Sequence, residues 1–366
     1  MMHIVQILPA LDEGGVERGT VELNAALVAR GYRSTVISSG GRLVSEIERA
    51  GGRHITLPVK SKNPLTAPSR AFRLRRVLMT LAPDVVHFRS RVPGWLTVWA
   101  NRTLHLPLVS TVHGFNSVSA YSRVMTMGDR VICPSTPVVA YIKKHYGTSD
   151  EKIRLVYRGV NPEAFDPERL DRAWMADFAE RFGLRDRFIV LGVGRITQLK
   201  GYDCLIRATA KAAERVPRIK TVIVGGAEPA RQAYAESLKA MVRDLHLEDR
   251  VVFAGSQSRM AEIYALGNVL VSGNHAKPES FGRTMAEALA MGCPVIATRF
   301  GGALDIVREG VDGWLVEPGD TEALANRLAQ AAETRWSGLR EGAMARFSLD
   351  RMVEGTLAVY QELRGL

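Results

Sequence analysis

The sequence predicts an α/β protein of two doubly wound, parallel-sheet domains. Apolar strand-like runs alternate with helix-like segments along the whole chain, the pattern of strands joined by helical crossovers. The 366 residues are 46% apolar, enough for two hydrophobic cores. The alternating series breaks once, at "YRGVNPEAFDPERL", where Pro162 and Pro167 mark a linker.

In the first half, strands are expected at "HIVQIL", "RSTVIS", "DVVHF", "PLVSTVH" and "RVICPS", with helices near 16–30, 66–82 and 135–146. In the second half they are expected at "FIVLGVGR", "KTVIVGG", "RVVFAG", "NVLVSG", "PVIAT" and "GWLVEP". Helices there fall near 201–216, 230–245, 258–265, 283–291, 303–309 and 320–334. The domains are therefore 1–165 and 166–345, both Rossmann-like, with a C-terminal helix in 346–366 packing back on the first. Ligands of such sheets bind at the C-terminal strand ends, in the loops that open helices.

Composition narrows the classes. No apolar run is long enough to span a bilayer. The start "MMHIVQILPAL" has no basic leader and no small-residue cleavage site, so it reads as a first strand. Cys133, Cys204 and Cys293 are far apart and form no CxxC pair, so neither zinc nor disulfides are expected, and the compartment is reducing. The net charge of +11 is one-sided. Residues 1–165 hold 22 Lys/Arg against 11 Asp/Glu, whereas residues 166–366 hold 27 of each. That asymmetry points to an anionic partner for the first half.

Three loops are candidates for ligand contact. Gly14-Gly15 precedes a helix, where backbone amides favour an anion; the same pair also suits a plain strand-to-helix turn. In "VLGVGRITQLKG", position 197 is threonine, so the dinucleotide fingerprint fails, but Arg195 and Lys200 flank a loop able to grip a diphosphate. Two solvated surface cations fit that loop equally well. In "PESFGRTMAEALAMG", Glu279 stands just outside a helix expected to open near Gly282, and Glu287 follows about a turn and a half inside it. The amides around Ser280, Phe281 and Gly282 would face a ligand, and the two acids would each accept from hydroxyls. An ordinary first-turn acid and a surface glutamate are the competing reading.

Taken together, "GGVERGTVELNAALVARGY", "VGRITQLKG", "PESFGRTMAEALAMGCPVIAT" and "GVDGWLVEPGDTEALA" resemble glycosyltransferase family 4 in order and spacing, over nearly the whole chain. The likeness extends to bacterial envelope glycan and lipopolysaccharide enzymes. The resemblance implies a GT-B fold, two Rossmann-like doubly wound domains facing a central cleft. It also implies a retaining hexosyltransferase using a nucleotide-diphosphate sugar, UDP by family habit, with no cofactor and no metal. It gives Glu279 and the amides of Ser280, Phe281 and Gly282 to the donor sugar, and Glu287 to the ribose. Arg195 and Lys200 go to the diphosphate, with Gly14 and Gly15 approaching it, and His113 of "STVHG" goes beside the anomeric carbon. Arg158 and Asn161 replace the family's Asn and Asp in the interdomain segment, and Ala303-Leu304-Asp305 stands where Pro-Glu is common. Both departures are read as lying outside the chemistry.

Between Glu48 and Asp84 lie eight Lys/Arg and no acid. In the helix expected there, Ala71, Leu74, Leu78 and Leu81 share one face, with Arg70, Arg73 and Arg76 largely opposite. Together with Lys60 and Lys62, these arginines are candidates for contact with an anionic membrane or acceptor; a solvated face is the plain alternative. The expected acceptor is a lipid-linked or envelope glycan. The expected location is cytoplasmic, at the inner face of the inner membrane. A soluble transferase making a small glycoside or storage polysaccharide is the nearest rival. A nucleic-acid-binding protein rests on charge alone and lacks the usual modules, so no nucleic-acid partner is expected. A catalytically silent scaffold is disfavoured by the presence of every proposed acid and cation.

Overall fold

The computed structural model describes residues 1–12 and 14–365. It comprises two compact units: Met1–Gly159 together with the last helix of the chain, and Val160–Ser348.

The first unit contains seven parallel strands: β1 (His3–Ile7), β2 (Arg33–Ser38), β3 (Arg53–Thr56), β4 (Val85–Phe88), β5 (Leu108–Thr111), β6 (Arg130–Cys133) and β7 (Ile153–Leu155). Their order is β3-β2-β1-β4-β5-β6-β7, so the winding reverses between β1 and β4. Helices α1 (Gly15–Ala29), α2 (Val44–Arg49), α3 (Ala67–Leu81), α4 (Arg91–Asn101) and α5 (Thr136–Tyr146) make the crossovers. All five residues of β1 are buried, because helices cover both faces of the sheet. On one face, Leu74 and Leu78 of α3 pack with Val5, Ile7 and Phe88. Burying each such leucine contributes about 2 kcal/mol. Helix α3 starts with Pro68 in its first turn, where a missing N–H costs nothing.

The second unit contains β8 (Phe188–Val193), β9 (Ile219–Val224), β10 (Val251–Gly255), β11 (Val269–Ser272), β12 (Val295–Thr298) and β13 (Gly313–Val316). The order is β10-β9-β8-β11-β12-β13, all parallel, with the reversal between β8 and β11. Its helices are α6 (Arg172–Arg181), α7 (Tyr202–Ala212), α8 (Gln232–Asp244), α9 (Met260–Leu266), α10 (Arg283–Ala290), α11 (Ala303–Ile306), α12 (Thr321–Glu333) and α13 (Leu339–Phe347). Extended Ser348 separates α13 from α14 (Leu349–Arg364). Met352, Val353, Leu357 and Tyr360 of α14 pack on Ile4, Leu23, Leu27 and Val85, which is why that helix belongs to the first unit.

The expected strands and helices are present, most with shorter limits; β2 keeps its expected limits, α1 and β9 begin one residue early, and α9 runs one residue further. Edge strands β3 and β7 and helices α2, α4, α6 and α13 are additional. No described helix is long and apolar enough to cross a membrane.

Candidate active site

In the second unit, the loops at the sheet's reversal converge. Strand β8 runs into Gly194, and a short turn over Gln198–Lys200 leads through Gly201 into α7. Gly201 has φ +64, and a Cβ there would overlap the carbonyl oxygen of Gly273, in the loop after β11. Only glycine lets these two loops touch. The contact sets Lys200 against the segment that carries Glu279. Lys200 Nζ and Glu279 Oε1 form an ion pair, both side chains being 22% exposed. Asn274 Nδ2 donates to the same carboxylate oxygen at 3.4 Å, and the Asn274 carbonyl accepts from Thr298 Oγ1 at 2.6 Å.

Past Glu279, the chain is anchored by Phe281. That ring is 2% exposed and meets Phe347 edge-on at 5.5 Å. Gly302 N donates to the Glu279 carbonyl at 2.9 Å. Gly282, at φ +105, begins α10 with no side-chain cap, so the first amides of that helix have no intrahelical acceptor. Glu287 sits on the inner side of α10. It accepts from Tyr264 Oη at 3.1 Å and from Arg283 Nε at 3.2 Å. Burial and the neighbouring Glu287 carboxylate hold the Tyr264 hydroxyl well above its usual pKa, so it stays a donor. Arg195 is 75% exposed and pairs with Glu228 at 2.7 Å. The structure thus joins Lys200 with Glu279, anchors Glu287 separately, and gives Arg195 a different partner.

In the first unit, Gly14 caps α1 and Gly15 is its first residue. His113 follows β5 and lines a cavity of about 240 Å³, with Pro9, Val16 and Glu17 on the β1–α1 side and Arg89, Ser90 and Arg91 on the β4–α4 side. Its pKa is held well below 6.5 by burial first, then by the charges of Arg158 and Arg89. The ring is therefore neutral at pH 7.

Arg158, read above as lying outside the chemistry, contacts two of the candidate residues: its Nη2 donates to the Gly15 carbonyl at 2.6 Å, and its charge acts on His113. One expectation needs correction. Arg70 is not on the solvent face of α3. It is 6% exposed, and its guanidinium donates to the Ser61 and Asn63 carbonyls, both at 2.7 Å, and to Thr66 Oγ1 at 3.1 Å. A long side chain opposite the apolar stripe has curled back to satisfy a loop. Lys60, Lys62, Arg73 and Arg76 are exposed, and Lys60 lies 3.7 Å from Asp12. Asn274, Arg89 and Arg91 were not foreseen; the basic pair around Ser90 directly after a strand was the available signal for the last two.

The sequence matches two family descriptions, "Glycosyltransferase Family 4" over residues 13–164 and "Glycosyl transferases group 1" over residues 177–343. It is 33% identical over 310 residues to a D-inositol 3-phosphate glycosyltransferase of Acidothermus cellulolyticus, covering 76% of this chain and 67% of that one. The chain belongs to glycosyltransferase family 4. This glycosyltransferase superposes on one from Rickettsia africae with TM-score 0.90 at 29% identity, over 99% of this chain and 98% of the other. It shares its fold, at TM-score 0.81 and 21% identity over 98% and 99% of the two chains, with an Anabaena protein solved with UDP and glucose. Its two units are the Rossmann-like domains of a GT-B enzyme. Among the described residues, no cluster of three His, Cys, Asp or Glu is arranged to hold a metal.

Proposed function

We propose that this glycosyltransferase moves a sugar from a UDP-linked donor to a hydroxyl of an envelope glycan or glycolipid, with retention at the anomeric carbon. The observation that carries the reading is the Lys200–Glu279 pair beside the N-terminal end of α10, at the reversal of the second sheet. A buried-edge pair of this kind is a site whose charges already cancel. A donor bearing both a diphosphate and a polyol can take the two partners apart without leaving either unsolvated.

In this proposal the diphosphate draws Lys200, and Arg195 leaves Glu228 to share the charge. Glu279 then accepts from donor-sugar hydroxyls, and Glu287 from the ribose. As the bond from C1 to the diphosphate oxygen breaks, its electron pair moves to that oxygen. The cations and the amides of Ser280, Phe281 and Gly282 stabilise it without reorganising. The acceptor oxygen bonds to C1 on the same face, and its proton passes to a leaving phosphate oxygen. From the first unit, Gly14 and Gly15 offer the opening amides of α1, and neutral His113 tolerates the positive charge that develops on the sugar. No metal and no covalent glycosyl-enzyme has a part in it. The Anabaena neighbour's ligands favour UDP over GDP or ADP. Exposed Arg73 and Arg76, with Lys60 and Lys62, would hold the first unit on anionic lipid at the cytoplasmic face of a membrane.

The name of the Acidothermus relative favours a second reading for the acceptor, a small phosphorylated polyol. Incubation with UDP-sugars and each acceptor class, followed by NMR of the product anomer, tests both. An axial-to-equatorial change at C1 would remove the retaining mechanism, and hydrolysis or inertness with every acceptor would remove the transferase reading.

A further inference from the structure

We propose that Asn274 is a positioning residue for the donor sugar: it braces the Glu279 carboxylate, holding one oxygen fixed while the other is turned to the sugar. The inference rests on the donor reading above and adds a residue that acts through Glu279.

Asn274 lies two residues past the end of β11, in the loop that leads to Glu279. Its backbone is pinned on both sides by Gly201. A Cβ there would overlap the carbonyl oxygen of Gly273, just before Asn274, and come within 3.1 Å of Nδ1 of His275, just after it. From the neighbouring strand, Oγ1 of Thr298, the last residue of β12, donates to the Asn274 carbonyl at 2.6 Å.

The side chain is held as well. A carboxylate only accepts, so the end of the amide that faces Glu279 is the Nδ2 donor, 3.4 Å from Oε1. That leaves Oδ1 towards Ser272, whose hydroxyl donates to it at 3.2 Å. Asn274 is 6% exposed. An amide so far from water is tolerated when its polar atoms are satisfied, and here its donor is aimed at a carboxylate of the candidate site. With almost no surface of its own to offer a sugar, Asn274 acts through that carboxylate.

The two oxygens of Glu279 have different surroundings. Oε1 takes Lys200 and Asn274. Oε2 lies over Gly282, the residue before α10, where a Cβ would come within 3.2 Å of it. When the diphosphate draws Lys200 away, Asn274 is the partner that Oε1 keeps. The carboxylate then stays in place, with Oε2 presented to a sugar hydroxyl beside the start of α10. Without the brace, Glu279 gains rotamer freedom that donor binding must remove again.

The test uses the full chain with Asn274→Ala, which deletes the brace, and Ser272→Ala, which keeps the asparagine and removes the bond that orients its amide. UDP release from a panel of UDP-sugars gives kcat and KM, and calorimetry gives the Kd for UDP alone. The expected result is a fall in kcat/KM of about tenfold or more in Asn274→Ala and about threefold in Ser272→Ala, with the Kd for UDP within about twofold of wild type in both. A merely structural role would not spare UDP, because a loosened loop would also displace Lys200 from the diphosphate. Unchanged kcat/KM in Asn274→Ala, or UDP binding weakened as much as kcat/KM in both variants, overturns the brace and leaves the donor reading standing. No binding of UDP or of any UDP-sugar by wild type overturns the donor reading itself, and the brace with it.

Discussion

The two sheet reversals of this enzyme treat charge in opposite ways. In the second unit, Lys200 and Glu279 neutralise each other, and the nearby Arg195 has Glu228. In the first unit, Arg89 is buried, and its partner is the Tyr360 hydroxyl, a neutral group. A self-paired site must be exchanged for its ligand, whereas a buried cation held by a neutral hydroxyl keeps its charge uncancelled by that partner. The sequence shows the same division, since the whole excess of basic residues lies in the first 165 positions.

The largest expected effect breaks the self-paired site. Lys200→Ala removes the proposed charge on the leaving group, and kcat should fall by about 100-fold or more, measured as UDP release. The lone Glu279 carboxylate is solvated enough for the variant to stay folded, which circular dichroism checks. Next is the contact that builds the site. Gly201→Ala demands a left-handed alanine and pushes into the Gly273 carbonyl, so unfolding stability should drop by about 2 kcal/mol or more in denaturant titration.

Arg70 and Arg73 sharpen the contrast within a single helix of the first unit. Arg70→Ala frees four acceptors, on Pro58, Ser61, Asn63 and Thr66, and should cost about 2 kcal/mol of stability. Arg73→Ala should stay within about 0.5 kcal/mol of wild type while weakening vesicle binding. Equal effects of the two on stability would contradict the placement of Arg70.

A pH dependence separates the two units without any substitution. His3, His54, His87 and His113, all in the first unit, have pKa values lowered chiefly by burial. The unfolded chain binds protons at these histidines around 6.5, before the folded chain does. Their contribution to stability is therefore present above 6.5 and lost as pH falls towards the folded values. The cost per histidine is at most about 1.4 kcal/mol per pH unit. Hydrogen exchange at pH 7 and pH 5 should show the first unit opening more and the second little changed.

What was legible in the sequence divides by the range of the interaction. Buried strands such as "KTVIV" and helices with a clear apolar stripe announce themselves locally. Helix α4 does not, because Pro93 and Gly94 near its start read as a break, yet proline is harmless in a first turn. Edge strands β3 and β7 are short and half-polar, so no alternation marks them. Arg70 was assigned to the correct helix and the wrong environment, since periodicity says which face a Cα lies on and nothing about where a long side chain ends. The Lys200–Glu279 pair spans 79 residues, and each partner was legible only as a loop residue with a competing bland reading. The fold was needed to bring them together.

The most direct measurement is thermal stabilisation of the full chain by UDP-, GDP- and ADP-sugars, with Glu279→Ala and Lys200→Ala alongside. The account predicts a shift with UDP-sugars that is lost or much reduced in both variants. A UDP-sugar shift of the same size in both variants would contradict the assignment of the ion pair as the donor site.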